Sequence, residues 1–137
     1  MIVLDCSAAV EMARGTIQGN AFNMLYLEGE ETIASELFRA EVCNAFWKYV
    51  HAGTLSPDDA CSYVEKACAL VDEFVPIEEN AAEAFNEALR HDHSVYDLLY
   101  VTLARRNAAT LMTADRKLMQ LCERMGVDCV TEVSLAE

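Results

Sequence analysis

Four acidic residues in this chain have the chemistry and the positions to form one binding site: Asp5, Glu41, Asp97 and Asp115. Asp5 ends the apolar run 2–4, and Asp115 comes shortly after the apolar run 111–113. In an open α/β sheet, the carboxyl ends of the strands border the ligand crevice. The sequence therefore predicts that acidic side chains gather at that edge of a sheet.

Four carboxylates held close together would require a positive charge between them. Carboxylates within a few ångströms repel one another and raise each other's pKa values, so a site that keeps them ionised must contain a cation. Ligands that are all oxygen atoms favour Mg²⁺ or Mn²⁺. If the four acids meet in the fold, the expected ligand is one of these ions.

Apolar runs of strand length alternate with helical patterns along the whole chain, which predicts successive βα units around a mostly parallel sheet. The predicted strands cover residues 2–5, 32–34, 74–76, 110–113 and 128–130. The predicted helices are one capped by Ser7, then 20–27, one from Ser35 to Gly53, one starting at Ser56-Pro57, and 80–91, 95–106 and 116–125. Gly15 and Gly19 are expected to separate the first two helices.

Length and composition indicate a single domain over residues 1–137, since 53% hydrophobic content supplies one substantial core. No apolar run approaches the ~20 residues that cross a bilayer, so we expect no membrane association. The six cysteines lack CxxC spacing and lie within apolar patterns, which indicates reduced core residues in a cytoplasmic protein. A zinc site is disfavoured for the same reason.

The net charge of −13 argues against generic binding of nucleic acid, which uses a basic surface. This objection weakens if some acids bind metal and if basic residues cluster locally. The pairs Arg105-Arg106 and Arg116-Lys117 are expected near the proposed site. The remaining acidic surface would suit a basic partner protein.

Each acid also has a simpler structural interpretation. Asp5 can cap the first helix, and either Thr113 or Asp115 can cap the last. The helix that contains Asp97 is apolar nearly all round and therefore buried, and Ser94-x-x-Asp97 fits a capping box. Glu41, at the border of an apolar stripe, can be a surface residue that pairs with a helix neighbour.

Histidine and aromatic residues near these acids favour structural roles. His91 and His93 precede the Asp97 helix, and histidines there more often stabilise a helix end than approach a substrate. The aromatic residues at helical spacing are expected in the core and not as stacking platforms for bases: Phe46, Trp47, Tyr96 and Tyr100.

Four segments in this order resemble the PIN-domain nuclease family, particularly the VapC-type ribonuclease toxins of toxin-antitoxin pairs. The resemblance runs from end to end and is carried by the segments 2–7, 41–44, 96–104 and 111–118. Each motif is weak by itself, but four motifs at suitable spacing are fairly specific.

The resemblance implies a PIN-like three-layer α/β/α fold, with a central mostly parallel sheet flanked by helices. It also implies endonucleolytic cleavage of RNA at a Mg²⁺ or Mn²⁺ site formed by Asp5, Glu41, Asp97 and Asp115. Polar residues that match positions beside those acids would support them or face the substrate: Ser7, Asn44 and Thr113. A cognate antitoxin and a homodimer are the implied protein partners.

Two other functions fit parts of the pattern. The chain could be a PIN-like binding module without nuclease activity, whose acidic cleft accepts an arginine of a partner. A phospho-accepting domain of the receiver or haloacid-dehalogenase type also places an Asp at a strand end. The dehalogenase pattern requires a second Asp where this chain has Ser7, and a receiver requires further acids near the first strand.

Overall fold

The computed structural model describes residues 1–26 and 29–130. In this part of the chain, five short strands form a parallel sheet in the order β3-β2-β1-β4-β5. The strands are β1 (Ile2–Leu4), β2 (Thr32–Ser35), β3 (Glu73–Val75), β4 (Thr110–Met112) and β5 (Cys129–Val130). Each begins within one residue of its predicted start, and the predicted α/β class is confirmed.

Seven helices connect the strands within the described ranges. They are α1 (Cys6–Arg14), α2 (Ile17–Tyr26), α3 (Leu37–His51), α4 (Pro57–Ala69), α5 (Ala81–His91), α6 (Val95–Arg106) and α7 (Arg116–Met125). A short 3-10 helix covers Ile77–Glu79. No helix of this set is both long enough and apolar enough to span a membrane.

The strand order reverses direction between β1 and β4. The chain moves outward from β1 to β2 and β3, and then returns to the other side of β1 for β4 and β5. Right-handed crossovers place α1 to α4 on one face and α5 to α7 on the other, which gives three layers. The receiver alternative is wrong, because receiver domains have the order 2-1-3-4-5.

Helix α6 lies deepest in the molecule and contacts β1, β2, β4 and α7. All residues from Leu98 to Ala104 are buried, as its apolar sequence predicts. The buried aromatic side chains Phe22, Phe38 and Phe46 fill the opposite layer. Burial of each such side chain contributes about 1.5–3 kcal/mol. The two layers fix the strand ends on which the acids lie.

Two predictions about the first helices were wrong. Asp5, not Ser7, is the N-cap of α1, because its carboxylate accepts a hydrogen bond from Ala8 N–H. Gly19 does not break α2 but lies inside it, where its N–H donates to the Thr16 hydroxyl. The predicted end of this helix at Leu27 lies outside the described residues.

Gly19 is required by a close approach of α2 to α1. A Cβ atom at this position would lie 1.9 Å from the Glu11 carbonyl oxygen and 2.7 Å from the Met12 nitrogen, both backbone atoms. Because backbone atoms cannot rotate away, Gly19→Ala should lower the free energy of unfolding by about 3 kcal/mol. Urea denaturation measures this loss.

The matched control for this prediction is Asn20→Ala, a change at the next and exposed position of the same helix. This control should stay within about 0.5 kcal/mol of the unaltered protein. Equal stability of the two variants would show that α1 and α2 do not approach this closely.

Several side chains predicted in the core are exposed. Trp47 and Tyr96 are 58% and 63% exposed, whereas Phe46 and Tyr100 are buried as predicted. The six cysteines are free thiols, and the prediction that all lie in the core was wrong for two exposed ones, Cys43 and Cys61. Both lie on outward positions of the hairpin formed by α3 and α4, where helical periodicity was too weak to separate the faces.

Candidate functional site

The four acids line one cavity of about 660 Å³ at the point where the strand order reverses. Asp5 directly follows β1, and Asp115 lies three residues beyond β4. Glu41 reaches the cavity from α3, and Asp97 reaches it from the first turn of α6. Such a crevice at the carboxyl ends of parallel strands is where α/β proteins bind their ligands.

Asp5 is the most buried of the four acids, with 4% of its surface exposed. The Ser7 hydroxyl oxygen lies 2.8 and 2.9 Å from its two carboxylate oxygens, and the Thr113 hydroxyl donates to Oδ2. Ala8 N–H donates to Oδ1 at 2.9 Å. Asp5 is therefore both a helix cap and part of a hydrogen-bonded group that joins the ends of β1 and β4.

Burial raises the pKa of Asp5 from 3.8 to about 7. The hydrogen bonds from Ala8, Thr113 and Ser7 favour the carboxylate and oppose this rise, whereas the negative charge of Asp115 adds to it. The carboxylate thus has donors but too little positive charge around it. A cation in the cavity would supply what the protein groups do not.

Glu41 is held by a tyrosine that the sequence predictions assigned only to the core. The Tyr100 hydroxyl donates to Glu41 Oε1 at 2.6 Å. Burial raises the pKa of Glu41, the hydrogen bond from Tyr100 lowers it, and the charge of Asp97 raises it again. A sequence signal for this role existed, because Tyr100 follows Asp97 by three residues and lies on the same side of α6.

Asp97 lies between a histidine and the other acids. Its Oδ2 atom is 3.4 Å from His93 Nδ1. Burial raises its pKa, the neighbouring His93 lowers it, and the negative charge of Asp115 raises it. Ser94 caps α6 by accepting from Tyr96 N–H, but the described residues contain no return bond from Ser94 N–H to Asp97. The side chain of Asp97 therefore faces the cavity.

Asp115 is the N-cap of α7, and its carboxylate accepts from Lys117 N–H at 2.9 Å. Thr113 is not the cap. Its hydroxyl accepts from Asp115 N–H at 3.0 Å and donates to Asp5, so it connects the two capping acids. One capping hydrogen bond uses only part of a carboxylate's capacity to accept hydrogen bonds. Asp115 can therefore cap α7 and still face the cavity.

The polar residues predicted beside the acids have different positions. Ser7 and Thr113 contact Asp5, as described above. Asn44 is exposed on α3, one turn beyond Glu41, and does not line the cavity. The sequence predictions did not include Gln18 among the site residues, although its side chain lines the cavity wall.

The two basic pairs predicted near the site, Arg105-Arg106 and Arg116-Lys117, lie in different places. Arg105 contacts Glu83 at 2.6 Å and Glu87 at 3.2 Å, and Arg106 lies 3.9 Å from Glu83. The prediction that this pair lies near the acids was wrong, because it joins α6 to α5. Lys117 does lie near the site, where its charge lowers the pKa of Asp97.

The side chains of the cavity fit a hard divalent ion by their chemistry. Within residues 1–26 and 29–130, no three His, Cys, Asp or Glu side chains are arranged to hold a metal ion together. Asp5, Glu41 and Asp115 each accept hydrogen bonds from different donors, whereas Asp97 lies beside His93 without a hydrogen bond to it. The oxygen ligands themselves match Mg²⁺ or Mn²⁺.

Comparison with known proteins identifies the class. The family model of the PIN domain matches residues 2–124. The chain therefore belongs to the PIN-domain family, as its sequence resemblance indicated.

Named relatives are similar over most of their length. Ribonuclease VapC12 of Mycobacterium tuberculosis is 34% identical over 120 residues, which cover 88% of this chain and 91% of the relative. Ribonuclease VapC3 of Pyrobaculum aerophilum is 29% identical over 124 residues, which cover 87% and 92%. The crystal structure of PAE2754 from Pyrobaculum aerophilum superposes with a TM-score of 0.76 at 21% identity, over 98% of this chain and 96% of that one. This last similarity supports the fold alone.

Proposed function

We propose that this chain is a Mg²⁺- or Mn²⁺-dependent endoribonuclease that hydrolyses RNA phosphodiester bonds and acts as the toxin of a toxin-antitoxin pair. The observation that carries the proposal is the meeting of four carboxylates from four elements in one cavity of a PIN-domain chain. The similarity to ribonucleases VapC3 and VapC12 supports the same activity.

The metal ligands in this proposal are Asp5, Glu41, Asp97 and Asp115. A bound divalent ion would lower the pKa of an attacking water and neutralise charge on the scissile phosphate. The protein's own contribution is to orient the ligands. The hydroxyls of Ser7 and Thr113 fix Asp5, and the hydroxyl of Tyr100 fixes Glu41.

The cavity also contains a positive charge for the substrate. Lys48 lines it from α3, one residue before Tyr49, and forms no ion pair among the residues that the structure describes. An ammonium group beside a group of carboxylates can bind a phosphate oxygen that the acids alone would repel. This arrangement supports a phosphodiester as the ligand.

The partners in this proposal follow from the same cavity. A cognate antitoxin would place an arginine among the acids, where its guanidinium can bind a carboxylate through two hydrogen bonds. We further propose that residues 1–137 form one PIN-like domain that works as a homodimer in the cytoplasm.

Removal of divalent ions should abolish the activity. We expect the purified chain to cleave single-stranded RNA in the presence of Mn²⁺, to stop when a chelator is added, and to resume when Mn²⁺ is restored in excess. Gel analysis of end-labelled RNA measures this. Contaminating nucleases that need no metal would continue to cleave in chelator.

The second candidate function is a binding module without catalysis. The observations that favour it are the net charge of −13 and the lack, among the described residues, of three His, Cys, Asp or Glu side chains arranged to hold a metal ion. If no RNA is cleaved with Mn²⁺ while an arginine-containing peptide binds the cavity, the module is the correct assignment and the ribonuclease proposal fails.

A further inference from the structure

A second cavity, of about 540 Å³, adjoins the first. Its lining includes the end of α5 and the loop that follows it, residues 91–94, and Lys117, Gln120 and Arg124 of α7. Asp97 lines both cavities and, within the described residues, no other side chain does so. A ligand that extends out of the acidic cavity past Asp97 would therefore enter the second one.

The wall formed by α7 is a stripe of hydrogen-bond donors. Lys117, Gln120 and Arg124 are separated by three and four residues, so they lie on one side of the helix. The buried residues of the same helix are Leu118, Leu121 and Cys122. The stripe is exposed, and its groups can reach a ligand without disturbing the core.

The basic side chains of this stripe have no carboxylate partner in the described part of the chain. Four of the ten basic residues, all arginines, do pair with acids among the described residues. Arg90 and Arg105, for example, pair with acids at 3.1 and 2.6 Å. Lys117 and Arg124 lie at the position where a ligand leaving the acidic cavity would meet them.

We propose that the second cavity binds one phosphate of the RNA strand next to the phosphate that is cleaved, with Lys117 and Arg124 as its main contacts. This inference rests on the proposed ribonuclease function. Lysine and arginine beside neutral donors such as Gln120 form the usual environment of a bound phosphate. Asp92 and Asp97 also line the cavity and offset the two positive charges, so the contacts of Lys117 and Arg124 to the phosphate are local ones. Local cations explain how an acidic protein can hold RNA.

The test uses the double variant Lys117→Gln/Arg124→Gln on a single-stranded RNA whose cleaved bond has been mapped from the products. We expect KM to rise about tenfold. At saturating Mn²⁺, where the lost charge of Lys117 beside Asp97 cannot limit metal binding, kcat should stay within about twofold, because the lost contacts lie outside the reacting group. The dependence of log(kcat/KM) on log[salt] should become shallower by about 0.7, the value for one phosphate contact with a single strand.

The matched control is Lys66→Gln/Arg90→Gln, which removes the same charge from exposed positions outside both cavities. A second measurement replaces single phosphodiesters near the cleaved bond by neutral methylphosphonates. For the unaltered protein, kcat/KM should fall about tenfold when the neutral group occupies one particular position of the RNA. The same replacement should not lower kcat/KM of the α7 double variant any further, whereas it should lower kcat/KM of the control variant as much as that of the unaltered protein.

The proposal and the function on which it rests fail in different ways. If the unaltered protein cleaves RNA but the α7 variant keeps its KM and salt dependence, the phosphate site is wrong and the nuclease stands. If the α7 variant cleaves normally but loses binding to a poly-glutamate peptide, the surface serves an acidic protein and the proposal is overturned. Absence of metal-dependent cleavage by the unaltered protein overturns both.

Discussion

Replacement of Asp5 by asparagine is expected to lower kcat/KM for RNA cleavage by about a hundredfold to a thousandfold, the scale on which loss of one central electrostatic contact acts in an active site. The variant removes one negative charge from the centre of the proposed metal site and keeps the size of the side chain. Cleavage of end-labelled RNA at saturating Mn²⁺ measures the loss.

The loss should not come from unfolding. An asparagine at position 5 can still cap α1, since its amide oxygen can accept from Ala8 N–H. The hydroxyls of Ser7 and Thr113 can rotate to accept from the amide nitrogen, because a hydroxyl both donates and accepts. Circular dichroism and urea denaturation should therefore show a folded variant at least as stable as the unaltered protein in chelator.

A matched control separates the site from the overall charge. Asp58→Asn removes the same charge from an exposed first-turn position of α4, outside the cavity. This variant should cleave RNA at the unaltered rate. If Asp5→Asn retains Mn²⁺-dependent cleavage within about tenfold of the unaltered protein, Asp5 is not a metal ligand of the reaction.

The parts of the fold that the sequence predicted well are encoded by neighbouring residues. Helix α4 begins at Pro57 after the cap Ser56, whose hydroxyl accepts from Asp59 N–H. Helix α7 ends at Gly126, which has the left-handed φ of 69° that glycine favours. Such signals involve only a few adjacent residues, so they can be recognised without knowledge of the tertiary structure.

The failures arise where distant segments meet. Gly19 was interpreted as a helix break because glycine is a poor helix former, yet its role is to let α2 approach the backbone of α1. The same limit applies at the site. Tyr100 and Glu41 are 59 residues apart, and Thr113 and Asp5 are 108 apart, so their hydrogen bonds could not be predicted from local patterns.

The positions of the acids were more predictable than their orientations. Strand ends and the first turn of a buried helix are local features, and the four acids do line one cavity. For Asp5 and Glu41, the direction of the side chain depends on donors from distant segments, Thr113 and Tyr100. The burial of Asp5 at this position has a measurable consequence for stability.

Without metal, the protein is expected to lose stability as pH rises from about 4 to about 7. The unfolded chain releases the Asp5 proton near the ordinary pKa of 3.8, whereas the folded protein holds it up to about 7. Between these values the folded state binds more protons than the unfolded state, so the free energy of unfolding falls with rising pH. For one fully buried carboxylate the loss reaches about 4 kcal/mol and is complete above both pKa values.

Divalent ions should reverse this loss, because they bind the folded, ionised site. Urea denaturation at about pH 5 and about pH 8, in chelator and in excess Mn²⁺, measures both effects. At a concentration 100 times the dissociation constant, Mn²⁺ should raise the free energy of unfolding by about 2.7 kcal/mol. At one fixed Mn²⁺ concentration, the gain should be larger at about pH 8 than at about pH 5, because protons no longer compete for the carboxylates. Asp5→Asn should show a flatter dependence on pH and a smaller gain from Mn²⁺ than the unaltered protein. If the variant and the unaltered protein lose stability equally between these pH values, burial of Asp5 does not control the proton balance, and the electrostatic reason for a cation at this site is lost.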